Sequence, residues 1–396
     1  MNCSQLQKRV FNKSIIFRVL LAINTTIICI CMMYASQGIF KTRPKEANPL
    51  KREIKLKPYD ILLSSYMRSG SSLTGMIFGH RSDSFYFFEP LWELAKWTYW
   101  HGYNAVCRSD RLECRETTQR TGEQKKAVDS YLYRFNPCSL ETAVNILHKI
   151  YDCEFNESDR TTINHEIHAN FGGPSWEMCR NKDTNFTTCL YQHIPNTCKH
   201  FLHKVTKVLR LTTDIISSLL DTRKNLKVIH LFRDPRAIIN SRIETKWFPS
   251  KTDEEVIENA KSLCNKMLYD FRKGQNVHKK YPDRFKFIYY EDLTSNMLSK
   301  SKILYNYIGM NVDETYFPEF MKHIVSKKTF VSKVERKKNS AYWWRKNLNW
   351  TIVKNMEIIC KDVYTELGYK PMSSFQEYVN LSMPSTVVPN EYLIVR

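Results

Sequence analysis

Tyr59 to Tyr66 reads YDILLSSY, a compact apolar run that gives way to MRSGSS and then to the apolar stretch LTGMIF. An apolar run of that length, bounded by turn residues, is a strand candidate. The glycine and serines mark a turn, and the stretch beyond it can begin a helix. KVIHLF (Lys227 to Phe232) is a second buried strand candidate, followed by a helix beginning near Pro235, where proline suits the first turn. FKFIYY (Phe285 to Tyr290) is a third strand, with a helix in SKILYNYIGM after it. Residues 253 to 273 carry acids early and bases late, as the helix dipole prefers. FYFFEPLWEL (Phe85 to Leu94) favours strand up to Phe88, and Pro90 then breaks it. Strands alternating with helices imply an α/β fold with a central parallel sheet flanked by helices. No internal repeat interrupts this pattern.

The chain has 396 residues, enough for one large α/β domain or two modest ones. Its 42% apolar and 25% charged residues argue against wholesale disorder. A net charge of +20 implies attraction to an anionic partner: nucleic acid, a membrane surface, a phosphorylated cofactor or an acidic polysaccharide. Of the 12 cysteines, seven crowd residues 107 to 198. No two close pairs of the kind zinc requires occur, so no metal is expected and disulfides in an oxidising compartment fit better. Nine cysteines follow the N-terminal apolar segment, so one is free or pairs between chains.

That segment, Ile15 to Tyr34, is long enough to cross a bilayer as a helix. Lys8, Arg9 and Lys13 precede it and Lys41, Arg43 and Lys45 follow it, so flanking charge barely discriminates orientation. A cleaved signal peptide is the competing reading. The length of the run, and the weak cleavage signal near Ser36 and Gly38, favour an uncleaved anchor. Sequons at Asn156, Asn185, Asn349 and Asn380 support a lumenal body.

The chemistry lies in two strand ends. In the first, the loop between strand and helix exposes backbone N–H groups at the positive end of the helix, a cradle for phosphate or sulfate oxygens. Arg68 offers a forked guanidinium, and Ser69, Ser71 and Ser72 add hydroxyls. This is not a Walker A loop, because no lysine follows Gly70. A plain serine-rich turn is the alternative. In the second, Arg233 leaves a strand end and Ser241 lies eight residues later, about two turns along a helix. Here the alternative is a surface salt-bridge cluster of Arg233, Asp234, Arg236 and Arg242.

Together the two units resemble the Golgi carbohydrate sulfotransferases, most closely those that sulfate the 6-hydroxyl of galactose, N-acetylgalactosamine or N-acetylglucosamine. SYMRSGSSLTGMIFGHRSDSFYFFEPLWEL resembles the family's loop for the 5′-phosphosulfate of the donor PAPS (3′-phosphoadenylyl sulfate), and NLKVIHLFRDPRAIINSRI resembles its 3′-phosphate loop. RFKFIYYEDLTSN, WWRKNLNW and ELGYKP resemble its later segments, and the likeness is thin from 100 to 200.

The resemblance implies a P-loop-like sulfotransferase fold behind a single N-terminal transmembrane helix. It divides the chain into a cytoplasmic tail (1–14), a signal anchor (15–36), a stem (37–58), a lumenal catalytic domain (59–372) with a cysteine-rich, loop-rich insertion (100–200), and a C-terminal tail (373–396). Arg68, Ser69, Gly70, Ser71 and Ser72 would wrap the 5′-phosphosulfate, Leu73 and Thr74 would complete the loop into the helix, and Arg233 and Ser241 would grip the 3′-phosphate. The acceptor would be a glycan or proteoglycan, with no nucleic acid and no metal, in a type II Golgi protein held to the membrane by its N-terminal helix; a homo-oligomer is allowed, and the oligomeric state is open.

Sulfuryl transfer calls for in-line displacement, with fixed donors facing the charge that grows on the bridging oxygen. Arg68 and the loop amides are the expected donors. Glu89 is the expected base, with the aromatic run before it desolvating the carboxyl and raising its pKa. Its alternative role is simple pairing with an arginine. His80 and His230 are rival bases. Tyr342, Trp343, Trp344 and Trp350 are candidates for a sugar or adenine site, with core packing expected for at least two. Arg336, Lys337 and Lys338 either approach an anion or form a solvated face. Competing functions are an inactive lumenal glycan-binding protein of the same fold, a nucleotide kinase or NTPase, and a nucleic-acid binder. The intact donor motifs, the missing Walker lysine and the lumenal signals disfavour them in turn.

Overall fold

The computed structural model describes residues 57–91, 98–101, 105–108, 114–116, 140–156, 188–245, 252–326, 340–384 and 386. The expected tail, anchor and nearly all of the stem, residues 1 to 56, lie outside the described residues, as does Asn185. Among the described residues no helix is long and apolar enough to cross a membrane.

Chain order begins β1 (Asp60–Ser65), α1 (Ser71–Gly79) and β2 (Ser84–Phe88), then β3 (Thr98–His101), β4 (Ala105–Arg108) and β5 (Cys114–Glu116). It continues with α2 (Leu140–Asp152), α3 (Ile194–His200), β6 (His203–Val208), α4 (Thr213–Thr222), β7 (Leu226–Phe232), α5 (Pro235–Thr245), α6 (Asp253–Lys280) and β8 (Phe285–Tyr289). The last helices are α7 (Tyr290–Ser295), α8 (Met297–Ile308), α9 (Phe317–Ser326), α10 (Trp344–Asn347), α11 (Trp350–Ile359), α12 (Lys361–Leu367) and α13 (Phe375–Val379).

Five strands make a wholly parallel sheet in the order β2-β6-β1-β7-β8. β1 sits at its centre, and its six residues are all buried. Successive side chains along a strand point to opposite faces. Leu62 thus joins the core layer under α4, α6, α11 and α12, while Ile61 and Leu63 join the layer under α1, α8 and α9. The flanked parallel sheet expected from the sequence is present. β3, β4 and β5 form a separate antiparallel sheet.

Two elements depart from the sequence reading. β6 went unread because Lys204 and Lys207 interrupt its apolar pattern, HKVTKV. The 100–200 stretch is not simply loop-rich. α2 places Ala143, Ile146, Leu147, Ile150 and Tyr151 in the main core, the spacing of an amphipathic helix.

Disulfides join Cys153 to Cys198 and Cys264 to Cys360. The second links α6 to the end of α11, outside the cysteine-dense region, and Cys189 is disulfide-bonded as well. α6 runs further than expected, to Lys280, and its N-cap Thr252 accepts from Glu255 N. Within the stretch read as a C-terminal tail, α13 packs on the body: Tyr378 is buried, and its hydroxyl donates to Trp344 O at 3.1 Å and Leu348 O at 2.5 Å. Asn156, Asn349 and Asn380 are exposed.

Candidate active site

The turn between β1 and α1 closes on Tyr66. Ser69 N donates to Tyr66 O at 3.1 Å, and Ser69 Oγ donates to the same oxygen at 2.7 Å. Ser65 Oγ touches Ser69 Oγ and donates to Leu231 O on β7 at 3.1 Å. The backbone passes through positive φ at Arg68 (72°) and Gly70 (94°). A Cβ at position 70 would also stand 2.2 Å from the Tyr290 ring, so glycine is required for space as well as for conformation. Gly70, the N-cap of α1, has no side chain to cap it, which leaves the first amides of the helix to an anion. Ser71 is buried and Ser72 half-buried at this helix start. Leu73 packs in the core, and Thr74 Oγ1 donates back to Gly70 O at 3.3 Å, so these two secure the helix behind the loop.

The strand end at Arg233 meets this turn directly. Arg233 Nη1 donates to Arg68 O at 3.0 Å, and its guanidinium lies 4.5 Å from the centroid of the Tyr290 ring. Arg68 Nε donates to Ser241 Oγ at 3.1 Å. α5 therefore does cross the site, and Arg68, Arg233 and Ser241 stand together. The alternative of a surface salt-bridge cluster fails on burial, since Arg233, Asp234, Arg236 and Arg242 are all buried. Arg236 pairs with Asp234 and Glu357, each at 2.8 Å, and tethers α11 behind the loop. Arg242 Nη1 donates to Asn259 Oδ1 at 2.5 Å, and its Nε donates to Met67 O at 3.4 Å. Asp234 N donates to Glu291 Oε1 at 2.9 Å. Burial pushes the Glu291 carboxyl up to about 7, with Asp234 adding to the effect.

Glu89 follows β2 with φ 48° and is buried. Its N–H donates to Lys207 O at 3.0 Å, extending the pairing of β2 with β6. Lys207 Nζ donates to Oε1 at 2.7 Å, and Arg210 Nη1 donates to Oε2 at 2.7 Å. The expected upward pKa shift is therefore corrected. Burial alone would raise it, but Lys207 and Arg210 together hold the carboxyl below its ordinary value. The pairing expected as the alternative is present, with a lysine added to the arginine. Lys207 also stands 3.4 Å from Ser72 Oγ and 3.5 Å from the centroid of the Phe88 ring, which links Glu89 to the start of α1. Sequence reasoning missed Lys207 and Arg210. The available signal was a pair of cations, K-V-L-R, spanning the end of an alternating strand.

Neither rival histidine reaches the loop. His80 caps the far end of α1, and nine helical residues span roughly 13 Å. His230 is fully buried in β7, and burial pushes it down to about 3. Of the aromatic candidates, Trp344 is core, stacked on Arg236 at 4.4 Å, and Trp350 packs on Tyr378. Trp343 Nε1 donates to Glu244 Oε1 at 3.1 Å, and Tyr342 packs against the second core layer. Arg336, Lys337 and Lys338 lie outside the described residues. Among the described residues no group of three or more His, Cys, Asp or Glu is placed to hold a metal.

A profile of the sulfotransferase domain matches residues 58–368, which takes in both loops and the sheet between them. The chain belongs to the sulfotransferase family. Curated relatives of this sulfotransferase include Carbohydrate sulfotransferase 1 of Danio rerio, 26% identical over 365 residues that cover 82% of this chain and 80% of the relative. Carbohydrate sulfotransferase 4 of Mus musculus is 24% identical and covers 84% of this chain and 87% of its own. Carbohydrate sulfotransferase 3 of Tetronarce californica is 25% identical, covering 81% and 75%. Among solved structures, mouse sulfotransferase SULT7A1 complexed with PAP matches with a TM-score of 0.38 at 10% identity, over 78% of this chain and 85% of that one.

Proposed function

We propose that this protein moves the sulfuryl group of PAPS onto a sugar hydroxyl of a glycan or proteoglycan, the 6-hydroxyl of N-acetylglucosamine, galactose or N-acetylgalactosamine. The relatives that match most of the chain are carbohydrate sulfotransferases, which favours a sugar acceptor. One observation carries the donor: Arg68 contacts both Ser241 and Arg233, so two anion-binding strand ends adjoin. A nucleotide charged at both its 5′ and 3′ positions suits that pairing. The donor set is cationic and rich in N–H and O–H groups, as such a ligand needs.

In this reading Ser69, Gly70, Ser71, Ser72 and the first amides of α1 hold the 5′-phosphosulfate, while Arg233 and Ser241 hold the 3′-phosphate. Arg68 leaves Ser241 for the donor and acts as a fixed charge, because it does not give up its proton. Glu89 is the base. Its two ion pairs keep it ionised and ready, but weak. Lys207, shared between Glu89 and Ser72, moves toward the bridging oxygen as charge grows there, and Glu89 becomes more basic as it departs. The acceptor oxygen bonds to sulfur as the bond from sulfur to the bridging oxygen breaks. That electron pair stays on the departing phosphate, and the acceptor proton passes to Glu89.

The protein is further read as a type II Golgi membrane protein with this domain in the lumen, a compartment that suits its disulfides. The test is transfer of labelled sulfate from PAPS to a glycan panel, with the product position read by mass spectrometry. Label on a 6-hydroxyl supports the reading. Retention on immobilised PAP without transfer to any sugar would remove the acceptor, and no retention would remove the donor.

A further inference from the structure

Behind the donor loop lies a buried polar cluster that this mechanism does not use. Asp270 of α6, Tyr66 after β1, His230 of β7 and Thr213 at the start of α4 are each no more than 1% exposed. Four contacts close them into a ring. Asp270 Oδ2 lies 2.9 Å from Tyr66 Oη, and Tyr66 Oη lies 3.2 Å from His230 Nε2. His230 Nδ1 lies 3.4 Å from Thr213 Oγ1, which lies 3.1 Å from Asp270 Oδ1. Thr213 N also donates to Asp270 Oδ1 at 2.8 Å, so the carboxyl serves the first turn of α4.

The ring can be counted in protons. Four contacts need four. Tyr66, neutral His230 and Thr213 bring three, and an ionised Asp270 brings none. Tyr66 and Thr213 then both donate to the carboxylate, and His230, with one N–H, leaves its other ring nitrogen facing a lone pair, at Tyr66 Oη or Thr213 Oγ1 according to tautomer. A protonated Asp270 supplies the fourth. Oδ2 then donates to Tyr66, Tyr66 to His230 Nε2, His230 Nδ1 to Thr213, and Thr213 to Oδ1. Each contact holds one proton, and every donor runs in the same sense.

The surroundings agree. Among the described residues no lysine or arginine pairs with Asp270. Burial pushes it up to about 7 and the Asp214 carboxylate adds to this, while the hydrogen bonds that Thr213 and Tyr66 donate to its ionised form hold it back. His230 stays neutral. Asp214 itself accepts from Tyr269 Oη at 3.2 Å.

The ring joins the parts of the site that must keep register. Tyr66 O is the acceptor on which the Ser69 turn closes. Thr213 stands three residues after Arg210, one of the two cations that hold Glu89. We propose that Asp270 is a positioning residue whose protonated form closes this ring, holding the donor loop against the segment that carries Lys207 and Arg210. Loss of its proton opens the ring beside His230 and loosens donor binding. This rests on the donor reading above.

Asp270→Asn separates the alternatives, because the amide can donate at Oδ2's place and accept at Oδ1's. PAP affinity and melting temperature are measured on the full chain from about pH 6 to about pH 9. The variant should bind PAP within about threefold of wild type at the acidic end and hold that affinity throughout. Wild type should weaken about tenfold toward the alkaline end, and its melting temperature should fall relative to the variant's. Tyr66→Phe, which breaks two ring contacts, should weaken PAP binding about tenfold even at the acidic end.

Parallel pH curves for wild type and Asp270→Asn would overturn the proposal, as would a folded Asp270→Asn that binds PAP more than about tenfold weaker at the acidic end. A Tyr66→Phe that binds as wild type would also overturn it. If wild type binds no PAP at any pH, the donor reading falls. The ring is then judged on melting alone, where the same divergence upholds its proton count and parallel curves refute it.

Discussion

Arg68 Nε donates to Ser241 Oγ at 3.1 Å, although 173 positions of chain separate the two. In the proposed function a 3′-phosphate would compete for this contact. Ser241→Ala and Arg233→Ala each remove one donor to that phosphate. A hydrogen bond to a charged group contributes about 1.5–3 kcal/mol, so PAP affinity should fall about 10- to 150-fold in each. Turnover at saturating PAPS should change far less. Calorimetric titration with PAP, beside steady-state kinetics, checks both halves.

Glu89→Gln keeps the shape of the carboxylate but cannot take a proton. Turnover should drop by about 10²–10⁴ while PAP binding stays near wild type. The substitution also weakens two buried ion pairs, so a melting curve must accompany the rate. Unchanged turnover in a folded variant would remove Glu89 from the chemistry.

Lys207→Met tests the link between the base and α1. Lys207 holds the Glu89 carboxyl down, so its loss lets that pKa rise. In the proposed mechanism the active form is the carboxylate. The acidic limb of the pH–rate profile should therefore move to higher pH in the variant, with a lower plateau. An unmoved limb would contradict the coupling.

Gly70→Ala meets two obstacles, a left-handed backbone and a Cβ at 2.2 Å from the Tyr290 ring. Forcing the ring aside should cost about 1–3 kcal/mol, with the backbone adding about 1–2. Donor binding should be lost before folding is. Thermal melting and PAP retention on the purified variant separate the two losses.

Glu291 gives a pH signature in stability. Its folded pKa, about 7, lies above the ordinary carboxylate value. The stability tied to that shift is present in acid and is lost as pH rises from the ordinary range through about 7. Wild type should melt lower at the alkaline end of that window, and Glu291→Gln should flatten the slope. Differential scanning calorimetry across the window reads it.

Much of the candidate site could be read before the fold was known, and the reason is local. Arg68 to Ser72 follow a buried run and open a helix, and Arg233 ends another such run, so short-range pattern was enough. What failed depended on distant partners. Lys207 meets Glu89 from 118 positions away, and no pattern near Glu89 announces it. Aromatic neighbours suggested desolvation alone, whereas two buried cations reversed its effect. β6 was hidden for the same reason, since its buried Lys207 has its charge balanced by the distant Glu89. Tyr66 and Asp270 lie 204 positions apart, and neither stands out in the sequence. α2 was legible in principle, for its apolar residues recur at helical spacing, but the crowd of cysteines around it drew the reading toward loops.

The Cys264–Cys360 link closes 96 positions of chain around β8 and the helices that follow it. Closing a loop of that size restricts the unfolded chain by roughly 4–5 kcal/mol in the entropic account. A bacterial cytosol, kept reducing, would deliver the polypeptide with this staple undone and the helices beneath the sheet held by non-covalent contacts alone. Recombinant production therefore belongs in a secretory host, and thiol reductants should be left out of every purification buffer.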